Sequence, residues 1–532
     1  MRRSGWEVPY SAFLRRISYL GRPHMTDQAS AKPKKSITSN TVGGFVHLTS
    51  STLATALLRL FVVGVMARLL APGDFGVVAV SNIFVEFARM IATSGVSQSI
   101  VQVPHITENH IKTAFTSSMI IGLIVMAIVI VTSPFIAQFF DLPNLKVVLY
   151  VSSVIPPVLA FSTISSKLLE REHNFKPIAK IGFISYIAAQ VAIGIPIAYF
   201  GGGYWALIIP QIASALVQSL MLLRAQPHNL SFYLGRDEYR ELMRLGTGFG
   251  LQGIANFIAL RGDYFVVGKV LGPINLGKYE RSYVLMNLSN ALLASMLNTV
   301  LFPAFARVSG DHARFRRAYL RCMQITATVT IPISVACVAL APEIVETLLG
   351  SRWLDATTPF SILAGGIFAR TCYKVAGSAG NGLGLAYENA VSQTLYAICV
   401  VGGAAIGSMW GINGVAVSTL TSIGIVFLLL NNTVIRRVGL TWADMGKAVL
   451  PGVASAVVIG LTALFVVDVL RAHMPLPAVF RLTGSLSLAG IAYLAFTAIA
   501  PTVFLGRGVI ELLDEKLPRT GHVARVRRFV RC

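Results

Sequence analysis

Two nonapeptides decide the fold: Arg68-Leu69-Leu70-Ala71-Pro72-Gly73-Asp74-Phe75-Gly76 and Lys269-Val270-Leu271-Gly272-Pro273-Ile274-Asn275-Leu276-Gly277. They stand 201 residues apart, each closing a long apolar run. Proline fixes φ and glycine lets the chain reverse, so each reads as a turn between two hydrophobic segments. Arg59 and Arg261 lie near the same offset, one turn region upstream. A second pair of connectors, Gly201-Gly202-Gly203-Tyr204-Trp205 and Met409-Trp410-Gly411-Ile412-Asn413-Gly414, falls after the fifth segment of each half. The chain therefore reads as a six-plus-six repeat followed by two further segments.

The segments are membrane spans. Of 532 residues 54% are hydrophobic and only 13% charged, with mean hydropathy +0.68; soluble domains carry about 25% charge. A helix crosses the hydrocarbon with about 20 residues and satisfies its backbone internally. About fourteen such runs are present, giving an all-α polytopic membrane protein. Its expected parts are a basic cytoplasmic segment (1–42), an N-terminal six-helix lobe (43–224), a charged cytoplasmic hinge (225–246), a C-terminal six-helix lobe (247–430), two additional helices (431–504) and a basic tail (505–532). The first segment lacks a clean apolar core followed by a small-residue cleavage site, so it does not read as a signal peptide. Each half has an even number of spans and its copy enters the membrane in the same sense. The two lobes should then be related by a pseudo-twofold axis along the membrane normal, with a cleft between them.

Charge fixes orientation. The net +22 comes from 45 Lys+Arg against 23 Asp+Glu. With the N-terminus inside, 34 of the 45 cations fall to cytoplasmic segments and 8 to outer loops, and Arg59, Arg89 and Arg261 are left within spans. That bias is the positive-inside pattern; it places both termini in the cytoplasm and turns basic loops toward anionic lipid. It also removes nucleic acid as a partner, since the basic residues are not collected on a soluble module.

Ionised groups inside spans are costly and usually face a protein interior or a wet cavity. Arg59 and Arg261 read either as cavity-lining cations or as side chains snorkelling to a membrane face. Glu86 and Arg89, three residues apart on one helical face, either neutralise one another or share a hydrated lining. Asp263, two positions from Arg261 and so not its same-face partner, either caps a helix break beside Gly262 or takes part in cation coupling. Tyr204, Trp205, Trp353, Trp410 and Trp442 sit near span ends and read as interfacial anchors. Catalytic chemistry is not evident: the sequence has no phosphate-binding loop, no His-Glu-x-x-His, no Gly-x-Ser-x-Gly and no Cys-x-x-Cys. Neither a cofactor nor a metal site is expected.

Certain stretches carry a family resemblance: Arg59, then Ala67 through Ala79, Gly95 through Gln102, Arg261-Gly262-Asp263, Gly268 through Gly272, Gly277-Lys278-Tyr279 and Leu301 through Arg307. Over roughly residues 40–505 the chain resembles the bacterial polysaccharide-transport (oligosaccharide flippase, Wzx-like) family of the multidrug/oligosaccharidyl-lipid/polysaccharide exporter superfamily. The resemblance implies a transporter rather than an enzyme, in the bacterial inner membrane. It would move undecaprenyl-pyrophosphate-linked oligosaccharide units outward by alternating access for exopolysaccharide, capsule or O-antigen assembly, alongside a polysaccharide polymerase and export machinery. Arg59 and Arg261 become the first candidates for contact with the anionic substrate, Arg89 and Arg307 the next. Glu86 and Asp263 become candidates for coupling to a proton or sodium gradient. Alternative readings are a drug or cation antiporter of the same superfamily, a peptidoglycan lipid precursor flippase, and a membrane glycosyltransferase or polymerase.

Overall fold

A computed structural model describes residues 58–93, 96–287, 305, 311–474, 476–506 and 510. Arg307 lies outside the described residues. The described chain is helical from end to end. Helix α1 covers 58–69 and α2 Pro72–Thr93. They are followed by α3 (Glu108–Phe139), α4 (Pro143–Arg171), α5 (Phe175–Tyr199), α6 (Trp205–Ala225) and α7 (Arg236–Val270). Then come α8 (272–287), α9 (His312–Ala339), α10 (357–382, broken at Gly366), α11 (Ala386–Gly407), α12 (Gly411–Val438), α13 (Trp442–His473) and α14 (Ala478–Ile499). Among the described residues nine stretches are long and apolar enough to cross a membrane. One of them, Tyr387–Val438, holds both α11 and α12, joined at Gly411, whose φ of +69° suits glycine. The protein is an all-α, polytopic membrane protein.

Helix ends follow local sequence. Thr107 and His110 form a reciprocal cap at the start of α3, and Thr441 with Asp444 does the same for α13. Asp311 caps α9 by accepting from the amides of Ala313 and Arg314; those amides hold its carboxyl below the usual carboxylate range. Gly439 ends α12 in the left-handed region. Large apolar side chains face outward along the helices, among them Val131 and Phe135 on α3, Leu461 and Phe465 on α13, and Ile491 and Leu494 on α14. Lipid is the solvent that makes this arrangement inexpensive. Small residues let backbones approach: Gly452 of α13 lies against the Ala327 carbonyl of α9.

Three features differ from expectation. The charged run Arg236–Arg244 is not a loose hinge but the first turns of α7, so only 226–235 are non-helical between α6 and α7. In the first nonapeptide, the reversal is made by Leu70 and Ala71, and Pro72 starts α2; Gly76 is already helical. Trp353, expected as an interfacial anchor, is wholly buried. Its ring meets Phe75 edge-on at 5.2 Å, and its indole N–H donates to the Ala67 carbonyl at 2.8 Å. Satisfying that one polar handle makes burial of the large ring favourable.

Candidate functional site: a cation-lined cavity beneath a reciprocal helix contact

The two nonapeptides meet. A Cβ on Gly76 would run into the carbonyl oxygen of Pro273, and a Cβ on Gly277 into the carbonyl oxygen of Pro72. Under the 201-residue offset Gly76 corresponds to Gly277 and Pro72 to Pro273, so the contact is its own mirror under exchange of the halves. The glycines are required here by close backbone approach, not by a turn. Around this contact the same end of the molecule is tied across the halves. Arg68 donates to the Thr347 carbonyl at 2.8 Å, Lys269 pairs with Asp141 at 3.1 Å, and Phe139 stacks on Phe265 at 5.8 Å.

Farther along the same helices is a cavity of about 450 Å³, lined from α2 by Glu86, Arg89 and Met90, and from α7 by residues from Gly253 to Tyr264. Tyr283 and Asn287 of α8 and Arg370 and Lys374 of α10 complete it. Glu86 is ten positions beyond Gly76 on α2, about 15 Å at the helical rise. The cavity thus has four cationic side chains and one carboxylate.

Arg261 and Glu86 pair across the halves. The guanidinium donates through Nε and Nη2 to the two carboxylate oxygens, each at 2.9 Å, a fork that matches a carboxylate and equally a phosphate. The guanidinium also lies 4.8 Å from the Tyr264 ring centroid. Glu86 therefore engages Arg261 rather than its helical neighbour Arg89, which is exposed and lines the cavity.

Asp263 points the other way. It is buried, accepts from the Tyr279 hydroxyl at 2.8 Å and from the Tyr264 amide at 3.0 Å, and the same hydroxyl lies 3.1 Å from Thr419 Oγ1. The two positions separating Arg261 from Asp263 send one into the cavity and the other into the C-terminal helices. Arg59 is exposed, lies 5.3 Å from the Tyr186 ring centroid and is not brought to the cavity lining.

Arg370 and Lys374 were not singled out by sequence, although both fall in the tenth apolar run, 356–378; the count of cytoplasmic cations takes them in as loop residues. Arg370 is 3% exposed, stands 4.8 Å over the Tyr283 ring and donates to the Tyr283 hydroxyl, while its Nε–H has no partner among the described residues. Arg261, Arg370 and the edge-on pair Tyr264 and Tyr283, with ring centroids 5.5 Å apart, thus line one cavity, while Tyr279 packs behind them against Asp263. Intramembrane position was the available signal for Arg370. Among the described residues no group of three or more His, Cys, Asp or Glu could hold a metal ion.

The chain is similar to several known proteins. It is 28% identical over 330 residues to the succinoglycan biosynthesis transport protein ExoT of Rhizobium meliloti, covering 62% of this chain and 66% of that one. It is 23% identical to the lipopolysaccharide biosynthesis protein WzxC of Escherichia coli, covering 60% and 65%. The matched region spans roughly two thirds of the length of these relatives. In fold it resembles lipid II flippase MurJ in an inward closed conformation (TM-score 0.70, 18% identity, 85% of this chain and 98% of that chain). An inward-facing multidrug resistance MATE transporter of the MOP superfamily also matches, with a TM-score of 0.59 at 14% identity over 75% of this chain and 99% of that one. The family model described as polysaccharide biosynthesis protein matches residues 65–358, more than half of the sequence, and the chain belongs to that family.

Proposed function

We propose that this protein is an alternating-access flippase that moves polyprenyl-pyrophosphate-linked oligosaccharide units from the cytoplasmic to the outer leaflet for envelope polysaccharide assembly. The observation that carries this reading is the cavity's charge: Arg89, Arg261, Arg370 and Lys374 face a single carboxylate, Glu86. An anionic pyrophosphate gains from such a lining, while a cationic drug would be repelled by it, which favours lipid-linked phosphate over a drug antiporter. Arginine forks aimed into a space of restricted dielectric suit phosphate oxygens, and the tyrosine faces beside them offer surfaces for a first sugar. The relatives named for succinoglycan biosynthesis transport and for lipopolysaccharide biosynthesis support the same substrate class.

The reciprocal Gly76–Pro273 and Gly277–Pro72 contact supports two lobes related by a pseudo-twofold axis, as a residue touching its partner's equivalent requires. Fourteen spans and cytoplasmic termini complete this reading. By it, the contact lies at the outer ends of α1, α2, α7 and α8, closing the outer side while the cavity faces inward. Arg261 and Arg370 are the assigned anion contacts, with Arg89 and Lys374 at the rim. Arg59 is kept as a contact formed in another state, and Arg307 is retained on resemblance alone. Asp263, held by Tyr279 beside Thr419, and Glu86, which must release Arg261 when substrate arrives, are the assigned sites of coupling to a proton or sodium gradient.

Reconstitution tests the reading. Purified protein in liposomes bearing a fluorescent polyprenyl-pyrophosphate oligosaccharide should expose the label to an outside quencher or glycosidase. Arg261→Gln and Arg370→Gln should lower that rate while leaving insertion intact. Equal rates for wild type, variants and protein-free liposomes would refute it.

A further inference from the structure

We infer that a recess between the start of α5 and the end of α6 is a binding site for an anionic phospholipid, separate from the transport cavity. The recess has a volume of about 530 Å³ and is lined by Lys176, Lys180, Arg224, Ile181 and Met221, with Pro177 and Ala225 at its edge. It shares no residue with the cation-lined cavity between the halves.

Three observations identify the ligand. Lys176 and Lys180 are four positions apart on one helical face, and Arg224 stands opposite them in the last turn of α6. All three are exposed, and none makes an ion pair among the described residues. Nearby cations are engaged: Lys167 with Glu170 at 2.8 Å, Lys112 with Glu108 at 3.0 Å, and Arg171 with the carbonyls of Ile100, Val103 and Pro104. Like charges at i and i+4 repel, so an unneutralised trio around one recess calls for an external anion.

The floor specifies which kind of anion. Ile181 is buried and packs with Leu169 and Leu222, and Met221 lies against that cluster. A phosphate group alone has no use for this apolar surface, whereas a phospholipid can set its phosphodiester among the three cations and run its acyl chains along Ile181 and Met221. Basic pockets between transmembrane helices at the membrane surface take anionic headgroups in this way. Phe175, next to Lys176 in the chain and 54% exposed, adds an aromatic side chain of the kind found at headgroup depth. Both helix ends lie at one face of the membrane; its assignment to the cytoplasmic leaflet rests on the orientation proposed above, but recognition of the headgroup does not.

Three unpaired cations imply a preference for phosphatidylglycerol over phosphatidylcholine on the order of 100-fold. The experiment uses the full chain in phosphatidylcholine nanodiscs titrated with phosphatidylglycerol, with bound lipid counted by native mass spectrometry and local occupancy read from a spin-labelled phosphatidylglycerol. The triple variant Lys176→Gln/Lys180→Gln/Arg224→Gln should lose most of the preference, while Lys176→Arg/Lys180→Arg should keep it. Should the triple variant fail to fold, Arg224→Gln alone should still reduce the preference several-fold. Unchanged preference in the charge-removed variants would overturn the proposal. Equal competition by glycerophosphate or inorganic phosphate would also overturn it, by showing a soluble-anion site. Because no transported substrate is present, failure here leaves the transport reading standing, and failure of transport leaves this one standing.

Discussion

Glu86 occupies the fork that a phosphate would use, so neutralising it should tighten binding of an anionic ligand. Arg261 donates two charge-assisted hydrogen bonds to Glu86, at 2.9 Å each. The two side chains are 28% and 32% exposed, so the pair is partly solvated and falls short of the ~3–5 kcal/mol cost of breaking a fully buried pair. A net worth of about 1.5–3 kcal/mol is appropriate for bonds to charged groups. A pyrophosphate entering the cavity must displace the carboxylate and forfeits that energy before it gains its own contacts.

Glu86→Gln should therefore increase affinity for a short-chain polyprenyl pyrophosphate by roughly 10- to 100-fold, since 1.4 kcal/mol is a factor of ten. Arg261→Gln should weaken it by a comparable factor. The double variant should fall near Arg261→Gln, because with the guanidinium gone the carboxylate has nothing left to block. Ligand-dependent change in intrinsic fluorescence, or thermophoresis in detergent, measures all four proteins. A Glu86→Gln protein that binds more weakly than wild type, in parallel with Arg261→Gln, would refute the competition and leave the pair a structural tie between halves.

Gly76→Ala and Gly277→Ala should each push the halves apart at the reciprocal contact, raising outer-side reactivity of a cysteine placed in the cavity; unchanged labelling in both would count against a closed outer seal. Arg370→Gln should slow transport, and Arg370→Lys should restore less than half of it, because a point charge cannot serve both the Tyr283 hydroxyl and a phosphate; full rescue by lysine would argue for charge alone. Trp353→Phe keeps the ring beside Phe75 but removes the bond to Ala67, and should cost about 1 kcal/mol in thermal stability, read by a tryptophan-independent dye assay. His228, in the loop before α7, has its imidazole pushed below the usual value of 6.5 by burial, with Nδ1 3.0 Å from Ser165 Oγ. The unfolded chain takes up that proton first, so its stabilising contribution is complete above pH 6.5 and declines as pH falls toward the lowered folded value. His228→Gln should flatten that part of the stability profile, and an unaltered profile would exclude the residue.

How much of this was legible in sequence depends on what each signal measures. Apolar runs are readable because lipid demands them, and the described helices follow those runs closely; α7 starts eleven residues ahead of its run, at Arg236, where Asp237 and Glu238 suit a helix N-terminus. The nonapeptide repeat is readable as a repeat, and Gly272, at φ +81°, does serve the second reversal; Gly76 and Gly277 instead serve close packing, a task hidden from sequence because periodicity along one chain cannot show that two equivalent segments touch. Residue spacing correctly separated Arg261 from Asp263, a local property of a helix. It leaves pairing with Arg89 as one of two readings for Glu86, where the structure supplies Arg261, 175 positions along the chain. Arg370 and Lys374 escaped notice for a related reason: counting cations by loop treats any charge near a span end as topology. Only the approach of α10 to Tyr283 of α8 shows that Arg370 sits over an aromatic ring, with its Nε–H still unspent. The general lesson for such chains is that intramembrane arginines carry more information singly than in aggregate. A charge that topology can explain is still expensive if its helix position is buried, and the expense is what makes it a candidate for contact with a substrate.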